Sequence, residues 1–109
     1  MKKIIFAAVA SLVATFAVSI AAHASGGDAG KEKSRPCAAC HGADGNSAAP
    51  DFPRLAGQYP DYIAKALKDY RSGARKNPIM GPQAEKLTDR DIADLAAYFS
   101  SQQGLVMKR

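Results

Sequence analysis

The stretch Cys37-Ala38-Ala39-Cys40-His41 places two thiols three positions apart and an imidazole directly beside the second thiol. This C-x-x-C-H pattern is typical of covalent attachment of a c-type haem. Each thiol can add to one of the two vinyl groups of the porphyrin, and the adjacent imidazole can then reach the iron from one side of the ring. The spacing therefore predicts one covalently bound haem c.

Three other uses of the motif have to be weighed. A thioredoxin-like dithiol would sit in a β-α-β pattern, whereas the motif is flanked by Pro36 and Gly42. A tetrahedral zinc site needs more nitrogen or sulfur ligands than Cys37, Cys40 and His41 supply. A disulfide between residues so close in sequence would close too small a loop to stabilise a fold strongly. Haem attachment is the best supported of the four.

The N-terminus has the pattern of an export signal. Residues 1–3 are Met-Lys-Lys, residues 4–22 form an apolar run without charge, and residues 22–24 are Ala-His-Ala. Small residues at these positions suit cleavage by signal peptidase. We therefore expect residues 1–24 to be a removed signal peptide and residues 25–109 to form a single exported domain, although an uncleaved membrane anchor remains an alternative.

Size and charge restrict the kinds of partner. A chain of 109 residues makes one domain at most, and the core of the predicted exported part, residues 25–109, is so small that it usually needs a cofactor or a cross-link for stability. The formal net charge is only +5, and the basic and acidic residues are interleaved, unlike in a nucleic-acid binder. We expect no nucleic-acid partner, and no stable membrane span once the signal is removed.

Helix signals account for the first half of the predicted domain. Asp28 is a suitable N-cap for a short helix through Ser34, and Pro36 should end or kink that helix just before the motif. Apolar residues recur at helical spacing over residues 61–72, and Gly73 follows as the residue that ends the helix.

The last predicted helix begins at Thr88, which is its N-cap, and can end at Gly104. No stretch alternates convincingly between apolar and polar residues, so no strand is expected. The sequence predicts an all-α domain of three main helices separated by loops rich in proline and glycine.

Met80 lies in residues 77–82, which we expect to form a loop stiffened by Pro78 and Pro82. A thioether held at a fixed place in this way suits an iron ligand, but methionine also fills gaps in cores. Met107 is the other methionine of the predicted exported chain, and it lies in a charged tail.

The chain resembles a class I cytochrome c of the small bacterial type from Asp28 to about Gln102. It is similar to the single-haem forms and to either half of the two-haem periplasmic forms. The segments that carry the resemblance, in the family's order, are Cys37 to Gly42, Pro53 to Gln58, Asn77 to Met80, and Leu87-Thr88 leading into Ile92, Leu95, Ala96, Tyr98 and Phe99.

The resemblance implies a small cytochrome c fold wrapped around the haem, with thioether bonds at Cys37 and Cys40. It implies axial ligation of the iron by His41 Nε2 and by the sulfur of Met80, with the carbonyl of Pro53 accepting a hydrogen bond from His41 Nδ1–H. It further implies that Gly30 packs against the last helix near Tyr98 or Phe99. Lys33 stands roughly where larger members have an aromatic residue in this helix contact.

An iron with both axial positions filled by the protein has no open site for a substrate. The resemblance therefore implies an electron carrier rather than an enzyme, exchanging single electrons with periplasmic or membrane-bound redox proteins. Basic residues either steer an acidic partner to the haem edge or simply form a solvated face. They are Lys65, Lys68, Arg71, Arg75, Lys76 and Lys86.

Two alternatives remain open at this point. A gas-binding or peroxidatic haem protein would have an open or easily vacated sixth position. A dedicated haem subunit would stay docked on one larger periplasmic oxidoreductase instead of diffusing between partners.

Overall fold

The computed structural model describes residues 26–104. This part of the chain contains helices and no strand, which confirms the predicted all-α class. The predicted signal peptide, residues 1–24, lies outside the described residues, so that its removal stays a prediction. No helix within residues 26–104 is long and apolar enough to cross a membrane. The helices are α1 (Gly26–Lys33), α2 (Arg35–His41), α3 (Pro60–Ser72), α4 (Met80–Ala84) and α5 (Asp89–Ser101).

A break at Ser34 separates α1 from α2. Pro36 lies in the first turn of α2, where a missing N–H leaves no helical hydrogen bond unmade. The amides of Cys37 and Ala38 both donate to the carbonyl of Ser34, at 2.9 and 3.1 Å. The predicted break before the motif is confirmed, but the sequence did not indicate that the motif itself is helical.

The predicted end of α3 is confirmed. Gly73 follows Ser72 with a φ of 82°, a left-handed conformation that a glycine adopts without steric cost. Pro60 occupies the first helical position, as expected for a residue that has no N–H to donate.

A reciprocal capping box starts α5. The side chain of Thr88 accepts from the amide of Asp91 at 3.1 Å, and the carboxylate of Asp91 accepts from the amide of Thr88 at 2.9 Å. The other end differs from the prediction, because α5 ends at Ser101 and Gln102 is already extended. Gly104 lies beyond the helix, where it packs against Ala56.

The prediction that residues 77–82 form a loop is wrong for their second half, because Met80 is the first residue of α4. Pro82 is the third residue of this helix, a position whose N–H has no partner inside a helix. Unlike a proline further along the helix, it therefore does not break α4. The buried Ala84 closes the short helix against the rest of the protein.

The core is built around α5, against which both α1 and α3 pack, and α4 packs on α3. A side chain at Gly30 would place its Cβ 2.5 Å from the Cβ of Tyr98 and would collide with the carbonyl of Asp94. Glycine therefore lets the backbone of α1 lie directly on α5, as the resemblance implied. The buried core residues in contact are Ile63, Leu95, Ala96, Tyr98 and Phe99.

Ion pairs made by Lys33 join α1 to α5. Its Nζ lies 2.6 Å from Asp94 Oδ2 and 2.9 Å from Asp91 Oδ1, and Arg90 Nε lies 3.2 Å from the other oxygen of Asp94. Asp94 is only 4% exposed, so its carboxylate depends on these partners. The hydrogen bond from Lys33 lowers the pKa of Asp91 to about 2 and also lowers the pKa of Asp94.

Replacing Lys33 by Met should make the haem-loaded protein less stable near neutral pH and flatten its response to acid. A carboxylate whose pKa is lower in the folded than in the unfolded state stabilises the fold above its ordinary pKa. This contribution is lost as the pH falls from about 4 to about 2. Thermal melts followed by circular dichroism across this pH range measure the effect.

The control is Arg35→Met, which breaks the exposed pair between Arg35 and Glu32 and should leave the melting temperature near neutral pH unchanged. If the Lys33→Met protein lost stability with acid as steeply as the unchanged protein, the Lys33 ion pairs would not be the source of the acid sensitivity.

Candidate functional site

The two thiols of the motif lie on neighbouring turns of α2. Residues three apart share one face of a helix, so Cys37 and Cys40 can meet the same flat group. Both side chains are partly exposed and neither is in a disulfide. Cys37 also packs against the core cluster, and this burial raises the pKa of its thiol.

His41, the last residue of α2, is 6% exposed. Its Nδ1 lies 2.8 Å from the carbonyl oxygen of Pro53. A carbonyl can only accept, so this bond requires the proton on Nδ1 and leaves a lone pair on Nε2. Residues 26–104 provide no hydrogen bond to Nε2, and none of their fully buried side-chain nitrogens lacks a partner. Nε2 is therefore not completely enclosed, and its lone pair is available to a metal.

The segment that carries Pro53 is folded back on itself. The carbonyl of Gly45 accepts from the amides of Leu55 and Ala56, at 2.7 and 3.1 Å. These two bonds bring the chain after Pro53 beside the chain that leaves the motif. His41 and Pro53 meet across the turn, and the ring of Phe52 stands edge-on to the imidazole with 6.5 Å between ring centres.

Two hydrogen bonds tie α5 to both chains of this turn, the one that leaves the motif and the one that follows Pro53. The hydroxyl of Tyr98 donates to the carbonyl of Ala43 at 2.7 Å, and the carbonyl of Phe99 accepts from the amide of Gly57 at 3.0 Å. The resemblance indicated Tyr98 as a contact of Gly30 but did not indicate this hydrogen bond. The signal for its role was the hydroxyl, because a buried tyrosine usually finds a hydrogen-bond partner.

Met80 stands apart from the motif. It is partly buried at the start of α4, which packs on α3, and among the described helices the backbones of α3 and α4 do not come close to that of α2. Met80 and His41 therefore lie apart from each other. Such a separation is required if a flat group lies between them. The neighbouring Ile79 is 53% exposed, so this segment presents apolar surface beside the thioether.

These donors suit an iron that is already held in a porphyrin. The described residues contain no group of three or more His, Cys, Asp or Glu side chains able to hold a bare metal ion. What they offer is two thiols on one helix face, an imidazole with Nε2 available, and a thioether on a separate element. This set fits a haem c, and the roles of Cys37, Cys40, His41 and Met80 stay predictions. Met107 lies outside the described residues.

Similarity to known proteins places the chain in a family. Residues 27–103 match the family described as Cytochrome c. The chain is 45% identical over 106 residues to cytochrome c4 of Stutzerimonas stutzeri, covering 88% of this chain and 50% of that protein. It is 49% identical over 78 residues to cytochrome c-554(548) of Halomonas halodenitrificans, covering 69% of this chain and 94% of that protein.

Among solved structures, reduced recombinant cytochrome c4 from Pseudomonas stutzeri superposes with a TM-score of 0.69 at 46% identity, covering 73% of this chain and 47% of that chain. The chain thus spans about half the length of the cytochrome c4 relatives that it matches. Fold, motif and sequence similarity agree, and the predicted family is confirmed. The chain belongs to the cytochrome c family, as a small bacterial class I member whose cofactor is a covalently bound haem c.

Proposed function

We propose that this protein is a periplasmic electron carrier whose haem is attached to Cys37 and Cys40, with His41 and Met80 as the axial ligands of the iron. The observation that carries this proposal is the 2.8 Å hydrogen bond between His41 Nδ1 and the carbonyl of Pro53. It holds the imidazole in the tautomer that leaves Nε2 for the iron. When bound, the haem supplies an iron that alternates between the ferric and ferrous states.

The carbonyl of Pro53 does more than select a tautomer. A hydrogen bond to the far nitrogen fixes the rotation of a ligating imidazole and makes it a stronger donor. Because α5 holds the Pro53 segment through Phe99 and the facing chain through Tyr98, the imidazole can keep one orientation in both oxidation states. A fixed ligand keeps the rearrangement on electron transfer small.

Met80 decides between electron transfer and the binding of small ligands. With a thioether in place, no axial position is left for oxygen, peroxide or carbon monoxide, which favours electron transfer. His41 is the only histidine of residues 25–109, so no second imidazole of this segment competes for the iron. The alternative of a gas-binding or peroxidatic protein requires Met80 to be off the iron or easily displaced.

Partners of this protein are proposed to be other redox proteins, and the surface charges only partly support electrostatic steering. Lys65 pairs with Asp69 at 2.6 Å, and Arg71 pairs with Asp89 at 2.7 Å. These pairs neutralise two of the six basic residues that could attract an acidic partner. The exposed Ile79, next to the proposed ligand, offers an apolar contact that does not depend on charge.

Replacing Met80 by Ala should leave the haem attached but remove its thioether ligand. The expected results are loss of the weak far-red sulfur-to-iron band of the ferric protein, a lower reduction potential, and binding of carbon monoxide by the ferrous protein. Visible spectroscopy and potentiometry measure these changes.

Met107→Ala is the matched control, because it removes the other thioether of residues 25–109, and it should change neither the spectrum nor the potential. An unchanged spectrum for Met80→Ala, or a lost band for Met107→Ala, would show that Met80 is not the ligand.

Replacing His41 by Ala should sharply reduce the yield of haem-loaded protein, because the imidazole anchors the iron while the thioether bonds form. Haem staining of the exported fraction after gel electrophoresis measures the yield. Arg54→Ala, which changes an exposed side chain of the Pro53 segment, should mature normally. Full yield of a His41→Ala protein with the original spectrum would contradict the assignment.

A further inference from the structure

Asn77 bonds to each backbone amide of the turn that leads into Met80. Its side-chain oxygen accepts from the amides of Ile79 and Met80, both at 2.9 Å. Its carbonyl accepts from the amide of Gly81 at 3.0 Å. The one intervening residue, Pro78, has no N–H, so one asparagine satisfies all the donors of this turn.

This arrangement replaces an ordinary helix cap. The first N–H groups of a helix have no partner inside it, and a polar residue at the N-cap normally accepts from one of them. The N-cap of α4 is Ile79, whose side chain has no oxygen. Asn77 supplies the missing acceptor from two positions earlier. Since α4 has only five residues, it has little stability of its own, and its first turn depends on this acceptor.

The two ends of α4 are held by different contacts. Downstream of Met80, Ala84 is fully buried, and the carbonyl of Leu87 accepts from Arg71 Nη1 at 3.0 Å. Upstream, the connection from residue 73 to residue 79 is exposed throughout. The Met80 end of the helix is thus held mainly by Asn77, whereas the Ala84 end is held by the core.

We infer that Asn77 is a positioning residue for Met80: the two hydrogen bonds to its side-chain oxygen keep the Met80 turn folded and so determine how readily the thioether leaves the iron. The inference rests on the proposed function, in which Met80 is the sixth ligand. A thioether is a neutral, weak donor, so its attachment depends on how firmly the backbone holds it in place. Asn77 is exposed, and its loss frees this turn without opening the core.

The test uses the haem-loaded ferric protein and imidazole as the competing ligand. The rate at which imidazole replaces the thioether is followed by the loss of the far-red band. Asn77→Ala removes both side-chain hydrogen bonds and should speed this replacement about ten-fold. Asn77→Asp keeps an acceptor oxygen at the same place and should exchange at close to the original rate.

Two further variants complete the set. Asn77→Gln keeps the amide but moves its oxygen one methylene away, so it should exchange as fast as Asn77→Ala and replaces it if the alanine protein does not mature. Ser72→Ala removes a different side-chain acceptor, the hydroxyl at the end of α3 that accepts from the amide of Ala74 in the same connection at 3.3 Å. It should leave the exchange rate unchanged.

The outcomes separate this inference from the proposed function. If the unchanged protein had no far-red band, or if Met80→Ala left imidazole binding unaltered, the ligand assignment would fail and the inference with it. If the band were present and lost in Met80→Ala, but Asn77→Ala and Asn77→Gln exchanged at the original rate, only the role of Asn77 would fail. Equal acceleration in Asn77→Asp and Asn77→Ala would overturn it as well, because the acceptor oxygen would then be irrelevant.

Discussion

Gly30 has no side chain, and this allows the backbone of α1 to lie directly on α5. Any other residue would place a Cβ 2.5 Å from the Cβ of Tyr98 and against the carbonyl of Asp94, so the two helices would have to move apart. Because α2 follows α1 after a single residue, this crossing determines where His41 stands relative to α5. The Pro53 segment is tied to α5 as well, because the amide of Gly57 donates to the carbonyl of Phe99, and Tyr98 holds Ala43 on the facing chain. For that reason the imidazole and its carbonyl partner meet.

The other proposed ligand, Met80, is connected to the core through different helices. Met80 is carried by α4, α4 packs on α3, and α3 packs on α5. The protein therefore holds the two proposed ligands with different firmness. His41 is buried and hydrogen-bonded, whereas Met80 begins a short helix next to an exposed connection. An electron carrier needs both ligands to hold in both oxidation states. The physical weakness of this site lies on the methionine side, and Asn77 strengthens it.

The features best predicted from the sequence are those that depend on residues close together in the chain. The C-x-x-C-H motif acts within one helix, and the Thr88 cap uses a residue three positions on, so both were accessible without a structure. The sequence did not indicate the start of α4, because a proline usually interrupts a helix, whereas Pro82 falls within the first turn of this one. The hydrogen bond from Tyr98 to Ala43 and the ion pair of Lys33 with Asp94 join residues far apart in sequence. No local pattern indicates such partners.

X-ray absorption at the iron edge of the ferric, haem-loaded protein tests most directly whether His41 and Met80 hold the iron. In the proposed attachment, the sulfur atoms of Cys37 and Cys40 would be bonded to carbon atoms of the haem rather than to the iron, so a sulfur ligand would point to a methionine. We expect one sulfur atom in the first coordination shell beside the nitrogens of the ring and of His41. The Met80→Ala protein should lack it. A shell of nitrogen and oxygen alone in the unchanged protein would contradict the proposed ligation.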